Sequence, residues 1–213
     1  MLLTTAIALI VLKPTQIVFL RHAETQANAT GRYNSKTLNA FSTLGERQVS
    51  AITQRLKSET FDAIVVSPSP RTLKTIAPYL RATGQKAEIW PELYECCHQP
   101  KSQRSQPASS VMKFGQRIGW DASLNGIFQI RPGGERYILA PTYNDGMRQI
   151  KQARKLLEMK FGGSGKKVLV VGHSIVGGHL LAMLTGKRIQ VQNASPIRVV
   201  ESNGGLFTVK SSS

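Results

Sequence analysis

A chain of 213 residues is long enough to bury one substantial core and short for two, and a 41% hydrophobic content is ordinary for a globular protein. Lys and Arg number 28 against 12 Asp and Glu, a formal charge of +16, and the resulting positive field favours anionic partners such as phosphate esters, nucleic acids or anionic lipids. The basic residues are spread along the whole chain without zinc-knuckle spacing, an aromatic-glycine RNA motif or a continuous basic helix, which argues against nucleic acid.

Leu2 to Leu12 is an apolar run of about eleven residues, well short of the roughly twenty that a membrane-spanning helix needs. It lacks a positive leading region and a clean cleavage site before Lys13 and Pro14, so the expectation is a cytoplasmic protein with no membrane span. Ala6 and Ala8 keep a signal-peptide core as the alternative. Residues 1–14 are read as an apolar extension and 15–213 as a single domain.

Gln16 to Leu20 is rich in β-branched and aromatic residues and predicts a buried strand running directly into Arg21-His22. The polar stretch to about Ser42 reads as loop with at most a helical turn. From Leu44 to Lys57, Val49, Ile52 and Leu56 share one helical face, with Ser42 or Thr43 placed to cap the start. Ala63 to Val66 predicts a second strand, broken by Ser67-Pro68-Ser69-Pro70 and followed by a helix with Leu73, Ile76, Ala77 and Leu80 facing the core. Lys86 to Trp90 reads as a third strand, and Glu92 to Arg131 has no strong period.

Adjacent Cys96 and Cys97 seldom meet disulfide geometry and have no second Cys/His pair at ligand spacing, so buried, inert thiols are expected. Met147, Ile150, Ala153, Leu156 and Leu157 mark a long helix ending near Gly162. Lys166 to Val171 is an apolar strand stopping at Gly172-His173-Ser174, with a glycine-bearing helix after it to about Leu184. Ile197 to Glu201 and Leu206 to Val209 read as closing strands around Asn203-Gly204-Gly205. Strands alternating with helices predict a mostly parallel sheet covered on both faces.

Three strands thus end in groups suited to an anion: Arg21-His22 after the first, Arg71 just past the second and His173 after the long apolar one. Ligands of open parallel sheets bind outside the carboxyl ends of strands, which would bring these four groups into one crevice.

Arg21-His22-Ala23-Glu24-Thr25, Ser67-Pro68-Ser69-Pro70-Arg71 and Val171-Gly172-His173-Ser174 together resemble the histidine phosphatase superfamily, which includes the phosphoglycerate mutases. Thr43-Leu44-Gly45-Glu46-Arg47-Gln48 and Pro132-Gly133-Gly134-Glu135 extend the likeness from about Gln16 to Val209. The resemblance implies an α/β three-layer sandwich of the phosphoglycerate mutase type. It also implies that His22 is the nucleophile, forming a phosphohistidine. Neutral imidazole suits this role near pH 7 because its free pKa is about 6.5.

By the same resemblance Arg21 and Arg71 clamp the phosphoryl oxygens, a task for planar, permanently charged guanidinium. His173, Asn28 and the Ser174 N–H are implied as further donors, the last at a helix start. A general acid is implied in a Leu-x-Glu setting, which Leu93-Tyr94-Glu95 fits; Glu92 is the competitor three residues earlier. Glu24 is read as tying down the loop. No metal and no cofactor is called for.

Two departures stand out: Cys96-Cys97-His98-Gln99 replaces the family's usual continuation after the acid, and Ser174 replaces a commoner glycine. About 100–131 is the implied lid and specificity region, basic through Lys101, Arg104, Lys113, Arg117 and Arg131 against Asp121. Those charges suit either a substrate with more than one anionic group or plain solvation. The expected function is a phosphatase of phosphorylated small molecules or phosphoprotein. Alternatives are a phosphoglycerate mutase-type phosphotransferase and a non-catalytic phosphate-binding module of the same fold.

Overall fold

A computed structural model describes residues 13–97, 112–202 and 205–210 of the protein. The leading apolar run, the first part of the expected lid and the Asn203-Gly204 half of the expected closing turn lie outside the described residues. The strands are β1 (Gln16–Arg21), β2 (Ala63–Val66), β3 (Ala87–Ile89), β4 (Phe128–Ile130), β5 (Lys167–Gly172), β6 (Ile197–Glu201) and β7 (Phe207–Val209). The helices are α1 (Gln26–Thr30), α2 (Thr43–Lys57), α3 (Pro70–Thr83), α4 (Tyr143–Phe161) and α5 (Ser174–Thr185).

The strands form one sheet in the order β4-β3-β2-β5-β1-β6-β7. All pairings from β4 to β1 are parallel, and β6 and β7 close the other edge antiparallel. Successive residues of a strand face opposite sides of a sheet, and β1 uses this fully. Val18 and Leu20 pack with Ile52 and Leu56 of α2 and Leu73, Ile76 and Leu80 of α3. Ile17 and Phe19 pack on the other face with Ile150 and Leu157 of α4 and Val176 and Leu180 of α5. The result is a three-layer sandwich. Central β5 is apolar after Lys167, Val168 to Val171 being wholly buried, because a strand covered on both faces has no solvent side to make polar.

One element differs from the sequence expectation: β4 extends the parallel sheet by three residues inside a stretch with no apolar period. The helical turn allowed for in the polar stretch is α1, five residues opened by a Thr25–Asn28 capping box. Among the described residues, no helix is long and apolar enough to cross a membrane.

Gly177 of α5 faces the ring of Phe19 of β1. A Cβ at Gly177 would stand 2.3 Å from Phe19 Cζ and 2.4 Å from Cε1, and the ring is fully buried with nowhere to yield. Gly177→Ala is therefore expected to destabilise the fold by about 1–3 kcal/mol through overpacking. The readout is a lower urea midpoint at unchanged slope; a midpoint equal to wild type would mean the ring has slack.

Candidate active site

The parallel register decides what meets at the carboxyl edge. Arg21 pairs with Gly172, and Val66 with Val171, so the residues that follow β1, β5 and β2 emerge side by side with β5 in the middle. The His22 N–H extends the ladder by donating to Gly172 O at 3.0 Å. His22, His173 and the Ser67–Arg71 turn are thereby brought to one edge.

His22 is 3% exposed, and its Nδ1 lies 2.8 Å from its neighbour's carbonyl, Ala23 O. A carbonyl only accepts, so Nδ1 carries the proton and Nε2 is bare. Arg71 Nε donates to that bare nitrogen at 3.3 Å, which is consistent with the same tautomer. Burial, and then the Arg71 charge, hold the His22 pKa well below the ordinary 6.5. The main-chain carbonyl of His22 accepts from Asn193 Nδ2 at 2.8 Å.

Arg71 enters from the first turn of α3, with its Nη1 donating to Asn39 Oδ1 at 3.3 Å. Arg21 is held by a bond from Nη1 to Val191 O at 3.1 Å. His173 is fully buried with its ring 5.3 Å from that of His22, edge-on, and its Nε2 lies 2.8 Å from Ser67 Oγ and 3.2 Å from Ser69 Oγ. Ser69 is the N-cap residue of α3 yet makes no side-chain cap bond; its hydroxyl is turned to His173 instead.

A cavity of about 210 Å³ opens over these groups. Its polar lining is Arg21, His22, Thr25, Asn28, Arg71, Glu95 and Ser174. Tyr33, Leu38, Tyr94, Met112 and Ile175 are the other described residues of the wall. Asn28 Oδ1 is engaged by Thr25 N and Thr25 Oγ1, both at 3.1 Å, so its amide NH2 is the group left to face a ligand. Glu95, 8% exposed, accepts the Val176 N–H at 3.2 Å from the first turn of α5. Burial pushes the Glu95 pKa up, against the opposing pull of Arg71 and of that N–H.

A family model for the histidine phosphatase superfamily (branch 1) matches residues 17–212. The chain belongs to that superfamily. A probable phosphoglycerate mutase GpmB of Yersinia enterocolitica is 28% identical over 86% of this chain and 84% of its own length, and one from Photorhabdus laumondii is 30% identical over the same shares. Among solved structures, a putative alpha-ribazole-5'-P phosphatase from Escherichia coli aligns with a TM-score of 0.63 at 19% identity, over 92% of this chain and 94% of that one. A phosphoglycerate mutase from Bacillus anthracis aligns at 0.62 and 19%, over 95% and 94%. These structural likenesses bear on the fold.

Of the residues singled out from the sequence of this histidine phosphatase superfamily member, His22, Glu95, Arg21, Asn28, Arg71 and Ser174 line the cavity. His173 does not; it stands behind His22. The two candidate acids part company: both are buried, but Glu92 pairs with Arg131 at 2.5 Å and only Glu95 reaches the cavity. Glu24 accepts from Ser42 Oγ at 2.6 Å, which ties the motif loop to the cap of α2.

In the basic 100–131 stretch, Lys113, Arg117, Asp121 and Arg131 stay off the cavity wall, to which Met112 contributes instead. Lys101 and Arg104 lie outside the described residues. Cys96 and Cys97 are buried free thiols, with their mutual hydrogen bond and burial pushing the Cys96 pKa up. Sequence reasoning missed Asn193 and Asn39. Both are loop residues with no motif around them, and only the fold brings them to the site.

Proposed function

We propose that this protein is a phosphatase that hydrolyses phosphomonoesters through a phosphohistidine on His22. The observation that carries the reading is the bare Nε2 of a buried, neutral imidazole, locked by Ala23 O and set beside Arg71 in a cavity that also holds Arg21 and Glu95. In this reading the substrate phosphoryl group lies between the two guanidiniums, with the Asn28 amide and Ser174 N–H as further donors. Fixed donors of this kind supply most of the rate in phosphoryl transfer. His173, braced by Ser67 and Ser69, packs edge-on against the His22 ring and keeps it in place.

In the first half-reaction Nε2 attacks phosphorus, the bond to the leaving oxygen breaks, and the Glu95 carboxyl gives that oxygen its proton. In the second, the Glu95 carboxylate takes a proton from water as the water oxygen bonds to phosphorus and the N–P bond breaks. Inorganic phosphate leaves, His22 returns neutral and Glu95 returns protonated. Each group is restored, as microscopic reversibility requires for an acid that doubles as base.

The mutase reading is favoured by the two relatives named as probable phosphoglycerate mutases. A sugar-acid phosphate carries a carboxylate besides its phosphate, and the described cations of the wall are Arg21 and Arg71 alone, with Leu38, Met112 and Ile175 among the other lining residues. This favours hydrolysis of a substrate whose one anionic group is its phosphate, with an apolar or neutral remainder. The test offers the protein an aryl phosphate and, separately, a phosphoglycerate with a bisphosphorylated primer. Inorganic phosphate release at a rate independent of primer is expected; primer-dependent isomerisation with negligible release would replace this reading with the mutase.

A further inference from the structure

The segment that carries Glu95 has little regular structure of its own. It is a single 3-10 turn at Pro91–Leu93, followed by extended backbone at Tyr94 with φ −63° and ψ 146°. Something outside must fix it, because a general acid acts only when its carboxyl reaches the leaving oxygen within hydrogen-bond distance.

Gln149, in the middle of α4 and 1% exposed, does what the segment cannot. Its Nε2 donates to Glu92 O at 3.1 Å and to Tyr94 O at 2.7 Å. Two carbonyl acceptors require the NH2 end of the amide there, which leaves Oε1 buried and without a hydrogen-bond partner among the described residues. A buried, unpaired oxygen is a cost that Leu or Met of similar size would avoid. What the amide adds is the clamp on two carbonyls, the second belonging to the residue directly before Glu95.

The same helix holds the segment on its other side. A Cβ at Gly146, one turn earlier, would stand 2.4 Å from Cys97 Sγ and 2.8 Å from Cys96 Sγ, so the chain after Glu95 lies flush on α4 only because that residue is glycine. Gln149 and Gly146 therefore bracket Glu95 in sequence and seat it against one rigid helix.

We propose that Gln149 is the positioning residue for the acid: its amide sets the backbone from which Glu95 reaches the leaving oxygen. This rests on the reading of Glu95 as proton donor. Displacing a catalytic group by about 1 Å costs on the order of 100-fold. Gln149→Met, which keeps the volume and loses both bonds, is expected to lower kcat about 10- to 50-fold for alkyl phosphates with poor leaving groups. For dinitrophenyl phosphate, whose phosphorylation step needs no proton, kcat/KM should change less than about 3-fold.

The experiment measures kcat and KM over a series of alkyl and aryl phosphates for wild type, Gln149→Met and Glu95→Gln. Gln149→Asn, which keeps the amide but falls short of the carbonyls, stands in should the Met variant not fold. A steeper leaving-group dependence in the Gln149 variant, in the direction seen for Glu95→Gln, is the expected result. A loss equal across all leaving groups, or a lower melting temperature with unchanged kinetics, overturns the positioning role while leaving Glu95 as acid. A Glu95→Gln enzyme with no leaving-group dependence overturns the acid assignment itself, and this proposal with it.

Discussion

His22→Ala is expected to lose at least about 1,000-fold in kcat on every phosphomonoester, as enzymes do when a covalent nucleophile is removed. Among the described residues, no other group in the cavity offers a bare imidazole nitrogen: the neighbouring His173 has its Nε2 engaged by Ser67 and Ser69 and stands off the cavity wall. The alkali-stable, acid-labile phosphoenzyme trapped from wild type should vanish with it. A residual rate above a tenth of wild type would remove His22 from the mechanism.

The pH dependence sharpens the test. The productive state pairs a neutral His22 with a protonated Glu95. At the ordinary values of 6.5 and 4.5 that state would be only about 1% as populated as its charge-swapped counterpart. Burial pushes both groups the productive way, the histidine down and the carboxyl up, and Arg71 adds to the effect on His22. The acid limb of kcat/KM, which reports the free enzyme, is expected to fall below pH 6.5, and the alkaline limb above 4.5. An acid limb at or above 6.5 would show that the imidazole is not held neutral.

Much of this arrangement is legible in the residues. The runs Ile17–Leu20 and Val168–Val171 are apolar because their strands are buried on both faces, and the groups at their ends follow from where those runs stop. What the chain does not disclose is the order β2-β5-β1, a non-local pairing that sets His173 between His22 and Ser67. β4 escaped notice because three residues carry no period.

The choice between Glu92 and Glu95 was open for a similar reason. Residues three apart share a face on a 3-10 turn, and sequence does not say where such a turn stops. It stops at Leu93; Tyr94 is extended, and the two carboxylates diverge, one to Arg131 and one to the cavity.

That divergence sets the second large effect. Glu95→Gln is expected to slow hydrolysis of alkyl phosphates by about 100- to 1,000-fold, the range for losing a general acid, and to leave dinitrophenyl phosphate nearly untouched in the phosphorylation step. Glu92→Gln should weaken the tie to Arg131 and keep the wild-type leaving-group dependence; the reverse pattern would transfer the acid role to Glu92. Stability supplies an independent check on Glu95. Because its folded pKa is raised, the folded state holds the proton more tightly, so its stabilising contribution is whole below the ordinary 4.5 and is lost as pH rises through the folded value. Glutamine mimics the protonated form at every pH. Glu95→Gln should therefore melt higher than wild type near about pH 8, with the gap closing towards about pH 4. A variant that melts lower at pH 8 would mean that the Arg71 charge outweighs burial, and that Glu95 rests ionised beside the guanidiniums instead of holding a proton to give.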